Sequence, residues 1–160
     1  MIQGFTETGI KAYLSTEDNR IDTSVASTQI RFLVKFINDM DGSIEYCYPV
    51  LVNGIKPRYT DMNFTYSITP SIYVGSVNLL PAGHWKYEVY EVSWIGTVAV
   101  GSGTAPSTEI NVLPVDDDNG VVQGIVTKGI LNLTEAAGTE QVQYTEHEAT
   151  EGTNTIYYGQ

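Results

Sequence analysis

The chain has 160 residues, 42% of them hydrophobic, and its 19 acidic and 8 basic residues give a formal net charge of −11. This composition is that of one globular domain, and the negative charge repels nucleic-acid phosphates and anionic lipids, so we expect neither nucleic acid nor a membrane as a partner. A single cysteine, Cys47, excludes an internal disulfide framework and a cysteine-based zinc site.

The chain begins without the basic and apolar pattern of a secretory signal, and no apolar run approaches the roughly 20 residues of a membrane-spanning helix. We therefore expect synthesis in the cytoplasm. Residues 1–27 are rich in Thr, Ser and Asp, and their mixed pattern leaves two alternatives open, a terminal arm or an added edge strand.

Three segments then alternate apolar and other residues with a period of two, which predicts β-strands. They are TQIRFLVKFIND (28–39), SIEYCYPVLV (43–52) and RYTDMNFTYSI (58–68). Pro49 cannot donate a ladder hydrogen bond, so it predicts an edge or a bulge within the second segment. The third segment exposes a polar face to solvent, which favours antiparallel pairing.

The run LLPAGHWKYEVYEVSW (79–94) predicts a core strand with a bulge at Val89 and Tyr90 that turns Trp94 inward. A further strand is expected in STEINVLP (107–114). Short strands separated by Gly, Pro and Asn turns predict an all-β fold, a sandwich or a barrel.

The spacing of Leu80, Gly83, Trp85 and Tyr87 resembles the entry to the penultimate strand of immunoglobulin-like sandwiches, where an aromatic side chain ties the preceding loop to the strand. The resemblance implies an immunoglobulin-like antiparallel β-sandwich over residues 28–114. The cysteine pair and the tryptophan of antibody domains are missing, so the likeness concerns architecture alone.

After Pro114 the sequence becomes glycine-punctuated, and residues 115–160 predict a C-terminal β-rich arm or hairpin that pairs with its own sandwich or with a neighbouring subunit. Its apolar side chains are the candidate partner contacts: Val142, Tyr144, Ile156, Tyr157 and Tyr158.

Residues that carry chemistry do not converge in the sequence. His84 and His147 lack an accompanying nucleophile and orienting acid, so we expect ordinary exposed histidines and no enzyme. The run Asp116–Asp118 is the best candidate for calcium, but it lacks the spacing of a calcium loop and is interpreted as a solvated turn. We therefore expect no catalytic residue, metal or cofactor.

Three segments, RFLVKFINDMDG, GHWKYEVYEVSW and VQYTEHEATEGTNTIYYGQ, resemble small virion structural proteins of tailed bacteriophages. The resemblance implies a non-enzymatic decoration or cement protein of the virion, bound to the major capsid protein or other virion proteins and able to self-associate. The alternative is a fibre, neck or tail accessory module that binds carbohydrate or a receptor through exposed aromatics such as Trp94 or Tyr59.

Overall fold

The computed structural model describes residues 1–136, which form a two-sheet β-sandwich and confirm the all-β prediction. The strands in chain order are β1 (Ile2–Phe5), β2 (Ile10–Leu14), β3 (Ile30–Asn38), β4 (Ile44–Cys47), β5 (Val50–Leu51), β6 (Thr60–Tyr66), β7 (Ser76–Val77), β8 (Gly83–Ser93) and β9 (Val121–Thr134). Three short 3-10 turns accompany them, at Glu17–Asn19, Ser27–Gln29 and Ile72–Val74. Within these residues no helix is long and apolar enough to cross a membrane.

One sheet has the order β1-β9-β8-β3-β4, and the other has β6 between β2 on one side and β5 with β7 on the other. Most neighbours are antiparallel, as expected, but β1 pairs parallel with β9 and β7 parallel with β6. The apolar faces of the two sheets enclose the main core, which includes Phe36 of β3 and Phe64 of β6 in edge-to-face contact at 5.3 Å.

Pro49 marks the place where the chain changes sheets. The segment 43–52, predicted as one strand, forms β4 in the five-stranded sheet and β5 in the other. Proline has no N–H for a ladder, so the strand is interrupted where the chain crosses between sheets. The prediction of an irregularity at this residue is confirmed.

The second half of β8, residues 89–93, is buried on both faces, which the sequence analysis did not anticipate. Trp85 and Val89 face the main core, whereas Val92 and Trp94 belong to a second apolar cluster, here called the outer cluster. The register with β9 shifts between Val89 and Tyr90, as predicted. The extra residue lies on β9, however, so β8 keeps its alternation and Trp94 packs in the outer cluster rather than turning inward.

Residues 95–120, here called the covering segment, contain no strand and lie over the outer cluster. The predicted strand at 107–114 is therefore wrong: Ile110 and Val112 are 83% and 90% exposed. Both edges of β8 are already taken by β3 and β9, so this segment has no free ladder beside β8.

Glycine at position 120 lets the covering segment return close to the sheet. A Cβ atom on Gly120 would lie 2.6 Å from the Trp94 ring. The backbone N–H of Gly120 donates to the carbonyl of Thr104 at 2.8 Å, and that of Gly96 donates to Asp117 at 2.7 Å. These bonds close the covering segment into a loop.

The boundary expected at residue 114 is not a boundary of the sandwich. Residues 121–134 form the longest strand, β9, which lies between β1 and β8 and buries Val126, Leu131 and Leu133. For this stretch the structure shows the alternative of pairing with its own sandwich, because β9 pairs with β8 along nearly its whole length. The remainder of the predicted arm, from residue 137 onward, lies outside the described residues.

The N-terminal residues belong to both sheets rather than to an arm, with β1 an edge strand and β2 paired to β6. The connection that follows is held by Glu91, whose side chain is fully buried. Its two oxygens accept hydrogen bonds from the backbone N–H groups of Ile21, at 3.0 Å, and Asp22, at 2.7 Å. A buried carboxylate thus gains its partners from backbone donors.

We expect a chain ending at Pro114 to be unfolded and a chain ending at Ala136 to keep the thermal transition of the full chain. Ending the chain at Pro114 removes three buried side chains of β9, each worth about 1.5–3 kcal/mol, together with the ladder to β8. Circular dichroism melts of the three chains test this. A cooperative transition in the chain ending at Pro114 would contradict the role of β9.

We expect Glu91→Gln to lower the free energy of unfolding by about 1–3 kcal/mol, because the amide can offer only one acceptor to two buried N–H donors. Urea denaturation at pH 7 measures the effect, and Glu135→Gln, at an exposed position, is the matched control. Equal stability of the two variants would show that the Ile21 and Asp22 contacts contribute nothing.

Candidate functional site

One concave surface is a cavity of about 560 Å³ beside the crossover between the sheets, here called the Arg31 groove. One wall is formed by Ser27 and Thr28 of the 3-10 turn before β3 and by Arg31 of β3. The other is formed by β5 and the loop that follows it. Tyr48, Tyr73, Val74 and Val100 also line it. The volume is in the range of ordinary ligand pockets.

Arg31 supplies the positive charge of this groove. Its Nη1 donates to the carbonyl oxygens of Thr28, at 3.1 Å, and Ile30, at 2.6 Å, which fixes the half-buried guanidinium. Partial burial lowers the pKa of Arg31 from its ordinary value, and an arginine stays charged at neutral pH all the same. In the described part of the chain, no carboxylate lies within ion-pair distance of it.

The aromatic wall of the groove is held in place by Tyr48. Its hydroxyl donates to the carbonyl of Pro106 at 2.7 Å, and its ring stacks on that of Tyr73 with centroids 6.2 Å apart. Burial raises the pKa of Tyr48, so the hydroxyl remains a neutral donor. Tyr48 therefore joins the covering segment to the groove, which Val100 of that segment also lines.

A second cluster of titratable groups lies on the outer face of the five-stranded sheet. Lys35 Nζ donates to Glu109 Oε1 at 2.5 Å and lies 4.0 Å from Glu88 Oε2. Tyr46 donates to the second oxygen of Glu109, and Tyr90 donates to Glu88 at 2.7 Å. Since Glu109 belongs to the covering segment, these contacts fasten that segment to β3 and β4.

The protonation states in this cluster follow from its contacts. Burial opposes ionisation of Glu109, but hydrogen bonds from Lys35 and Tyr46 outweigh it, and the pKa of this carboxyl lies below its ordinary value. The pKa of Tyr46 is raised, first by burial and then by its bond to Glu109. The pKa of Tyr90 is raised in the same way, with Glu88 as the partner. These contacts keep the Glu109 carboxylate ionised and the two tyrosine hydroxyls protonated at neutral pH.

The acidic turn Asp116–Asp118 is exposed and contributes to the closure of the covering segment. Asp118 Oδ1 accepts from the backbone N–H of Thr97 at 3.1 Å, and Asp116 Oδ1 accepts from that of Asp118 at 3.1 Å. Within residues 1–136 no group of three or more His, Cys, Asp or Glu side chains is placed to hold a metal ion.

The other candidate residues are dispersed. His84 is exposed at the start of β8, and its backbone carbonyl accepts from Asp39 at 3.0 Å. The expectation that Trp94 is exposed is wrong, because this side chain is fully buried in the outer cluster. Tyr59 is 44% exposed, as expected, and meets Tyr13 edge to face at 5.7 Å.

The tail residues selected as partner contacts lie outside the described residues, and so does His147. They are Val142, Tyr144, Ile156, Tyr157 and Tyr158. Sequence reasoning missed the Arg31 groove. In the sequence Arg31 only interrupts the apolar residues of a predicted strand, and no local pattern shows that the chain around Pro49 comes to lie beside it.

Comparison with known proteins gives no match, since no family model, no curated protein and no solved structure resembles this chain closely enough to count.

We expect Glu109→Gln to lower the free energy of unfolding by about 1 kcal/mol at neutral pH, since a partly exposed charge-assisted contact to Lys35 is lost. The folded-state pKa is below the unfolded one, so the wild-type advantage is complete above the unfolded pKa and disappears as pH falls through the folded pKa. Urea denaturation of both proteins from pH 7 to pH 3 checks this, and a gap that is independent of pH would contradict it.

Proposed function

We propose that this chain is a non-enzymatic structural protein of a tailed-phage virion, a decoration or cement module that binds the major capsid protein or another virion protein. The fold is a two-sheet sandwich, and we propose in addition that its strands have an immunoglobulin-like arrangement. One contact supports that arrangement: Trp85 Nε1 donates to the carbonyl of Pro81 at 3.1 Å and ties the preceding loop to β8.

The observation that carries the proposal is the apolar edge of the covering segment. Ile110, Val112 and Val115 are 83%, 90% and 107% exposed, although they belong to a segment that Glu109 and Tyr48 fasten to the sandwich. Exposed apolar side chains at nearby positions of a fastened segment indicate a protein-binding surface, because their burial against a partner is favourable. A particle that offers many equivalent binding sites is the partner class we propose.

Virions of the phage that carries this gene should contain the chain in stoichiometric proportion to the major capsid protein after density-gradient purification. Quantitative mass spectrometry of the purified particles measures this ratio. Absence from the particles, or only a trace that washing removes, would contradict the virion assignment.

The surface itself is tested by returning purified protein to particles that lack it. We expect the double variant Ile110→Asp, Val112→Asp to bind at least about tenfold more weakly, equivalent to roughly 1.4 kcal/mol of lost apolar burial. Ile68→Asp is the control, at a 78% exposed apolar residue outside the covering segment. Equal binding by the double variant and the control would contradict the role of the covering segment.

A fibre, neck or tail module that binds carbohydrate or a receptor remains the second candidate, and it depends on Tyr13 and Tyr59. These tyrosines are 60% and 44% exposed and form an aromatic corner on which a sugar ring can pack. Both tryptophans are fully buried, so tyrosine NMR signals are the appropriate probe of glycan binding. Shifts on adding glycans that vanish in Tyr59→Ala would favour this candidate.

A further inference from the structure

The Arg31 groove presents a positive charge in a chain whose net charge is −11. The side chains that line it include Arg31 and no Asp or Glu within the described residues. Lys56 and Arg58 follow one wall of the groove, are exposed, and have no ion-pair partner within residues 1–136. A ligand with a carboxylate group complements this site, because a guanidinium binds carboxylates through paired hydrogen bonds.

The groove also has an unused strand edge. The strand β5 pairs with β6 on one side and is the last strand of its sheet. The N–H of Val52 donates to Asp61 at 3.2 Å across that pairing. Because peptide groups alternate in direction along an antiparallel strand, those of Leu51 face away from β6, and Leu51 lines the groove. An extended peptide can add to such an edge.

The C-terminal residues 137–160 of this chain have the complementary chemistry. They contain Glu140, Glu146, Glu148 and Glu151 and no Lys or Arg. They also contain the apolar and aromatic residues Val142, Tyr144 and Ile156, which suit a groove walled by tyrosine and valine.

The position of the last described strand favours occupancy by a second copy. Arg31 is level with Val92 and hence with Val122 near the start of β9, whereas β9 ends at Thr134 beside Gly83. The strand β9 thus ends roughly 35 Å from the groove, at about 3.3 Å per residue, and its direction points away from the groove. A neighbour placed head to tail receives it directly, while the same copy needs the chain to reverse and use about ten residues on the return.

We propose that the Arg31 groove binds residues 137–160 of a second copy of this chain, with a glutamate of the segment paired to Arg31 and its backbone added beside Leu51. This contact joins copies head to tail. It goes beyond the proposed function and can be measured without a virion, so its failure leaves the virion test unaffected.

The experiment measures the solution mass of the full chain by light scattering after size exclusion across a range of concentrations. We expect a mass that rises with concentration above the 17.6 kDa of one chain and falls to that of one chain with one bound peptide when a synthetic peptide of residues 137–160 is added in excess. Arg31→Lys and the quadruple change of Glu140, Glu146, Glu148 and Glu151 to Gln should each weaken association by roughly tenfold or more. Lys128→Ala removes an exposed positive charge outside the groove and should leave association unchanged.

Several outcomes would overturn the proposal. A full chain that stays at 17.6 kDa at all concentrations contradicts binding between copies. In that case, peptide binding to a chain ending at Ala136 but not to the full chain would place the segment in its own groove. That truncated chain retains all nine strands and both apolar clusters. If neither Arg31→Lys nor the added peptide changes the association, the groove is not the binding site. The peptide experiment uses the unchanged protein, so its result does not depend on whether a variant folds.

Discussion

The strand β8 is paired along both edges, and its second half, residues 89–93, is buried on both faces, so the other elements are arranged around it. With Trp85 on one face, Val92 on the other and Trp94 directly after it, this strand needs apolar cover on both sides. The second sheet covers one face, and the covering segment covers the other. Because the covering segment has no ladder beside β8, side chains hold it: Glu109 binds Lys35, and Tyr48 binds the carbonyl of Pro106. The exposed apolar side chains Ile110, Val112 and Val115 belong to this covering segment, and Tyr48, which holds the segment, also lines the groove.

The environment of each charged side chain is determined by its immediate partners and not by the large negative net charge of the chain. Glu91 is buried without a cation because two backbone N–H groups satisfy it, and Glu109 is ionised because Lys35 and Tyr46 bind it. Arg31 has no comparable carboxylate among residues 1–136, although the chain has more than twice as many acidic as basic residues. An unpaired, half-buried guanidinium is therefore the exception that distinguishes the groove from the rest of the surface.

Period-two alternation was enough to predict β3, β6 and β8 from the sequence, because each of these strands has a continuous apolar face. Pro49 also predicted its own irregularity, since its missing N–H acts at the residue itself. The strand β9 was missed because glycines such as Gly124 and Gly129 resemble turn residues, and Gly129 is required where a Cβ would lie 2.5 Å from the Tyr87 hydroxyl. The groove depends on distant segments meeting at the crossover, which no local pattern encodes.

The parallel pairing of β1 with β9 has a consequence for how the chain is made. Ile2 lies opposite Leu131, so the first strand of the sheet waits for almost the last described one. During synthesis, β8 emerges without its β9 neighbour and exposes an edge of unpaired backbone N–H and C=O groups until residue 134 has left the ribosome. Contacts of such long sequence separation also slow folding. The order of synthesis thus makes the unfinished sandwich prone to pair with other nascent copies before it can complete itself.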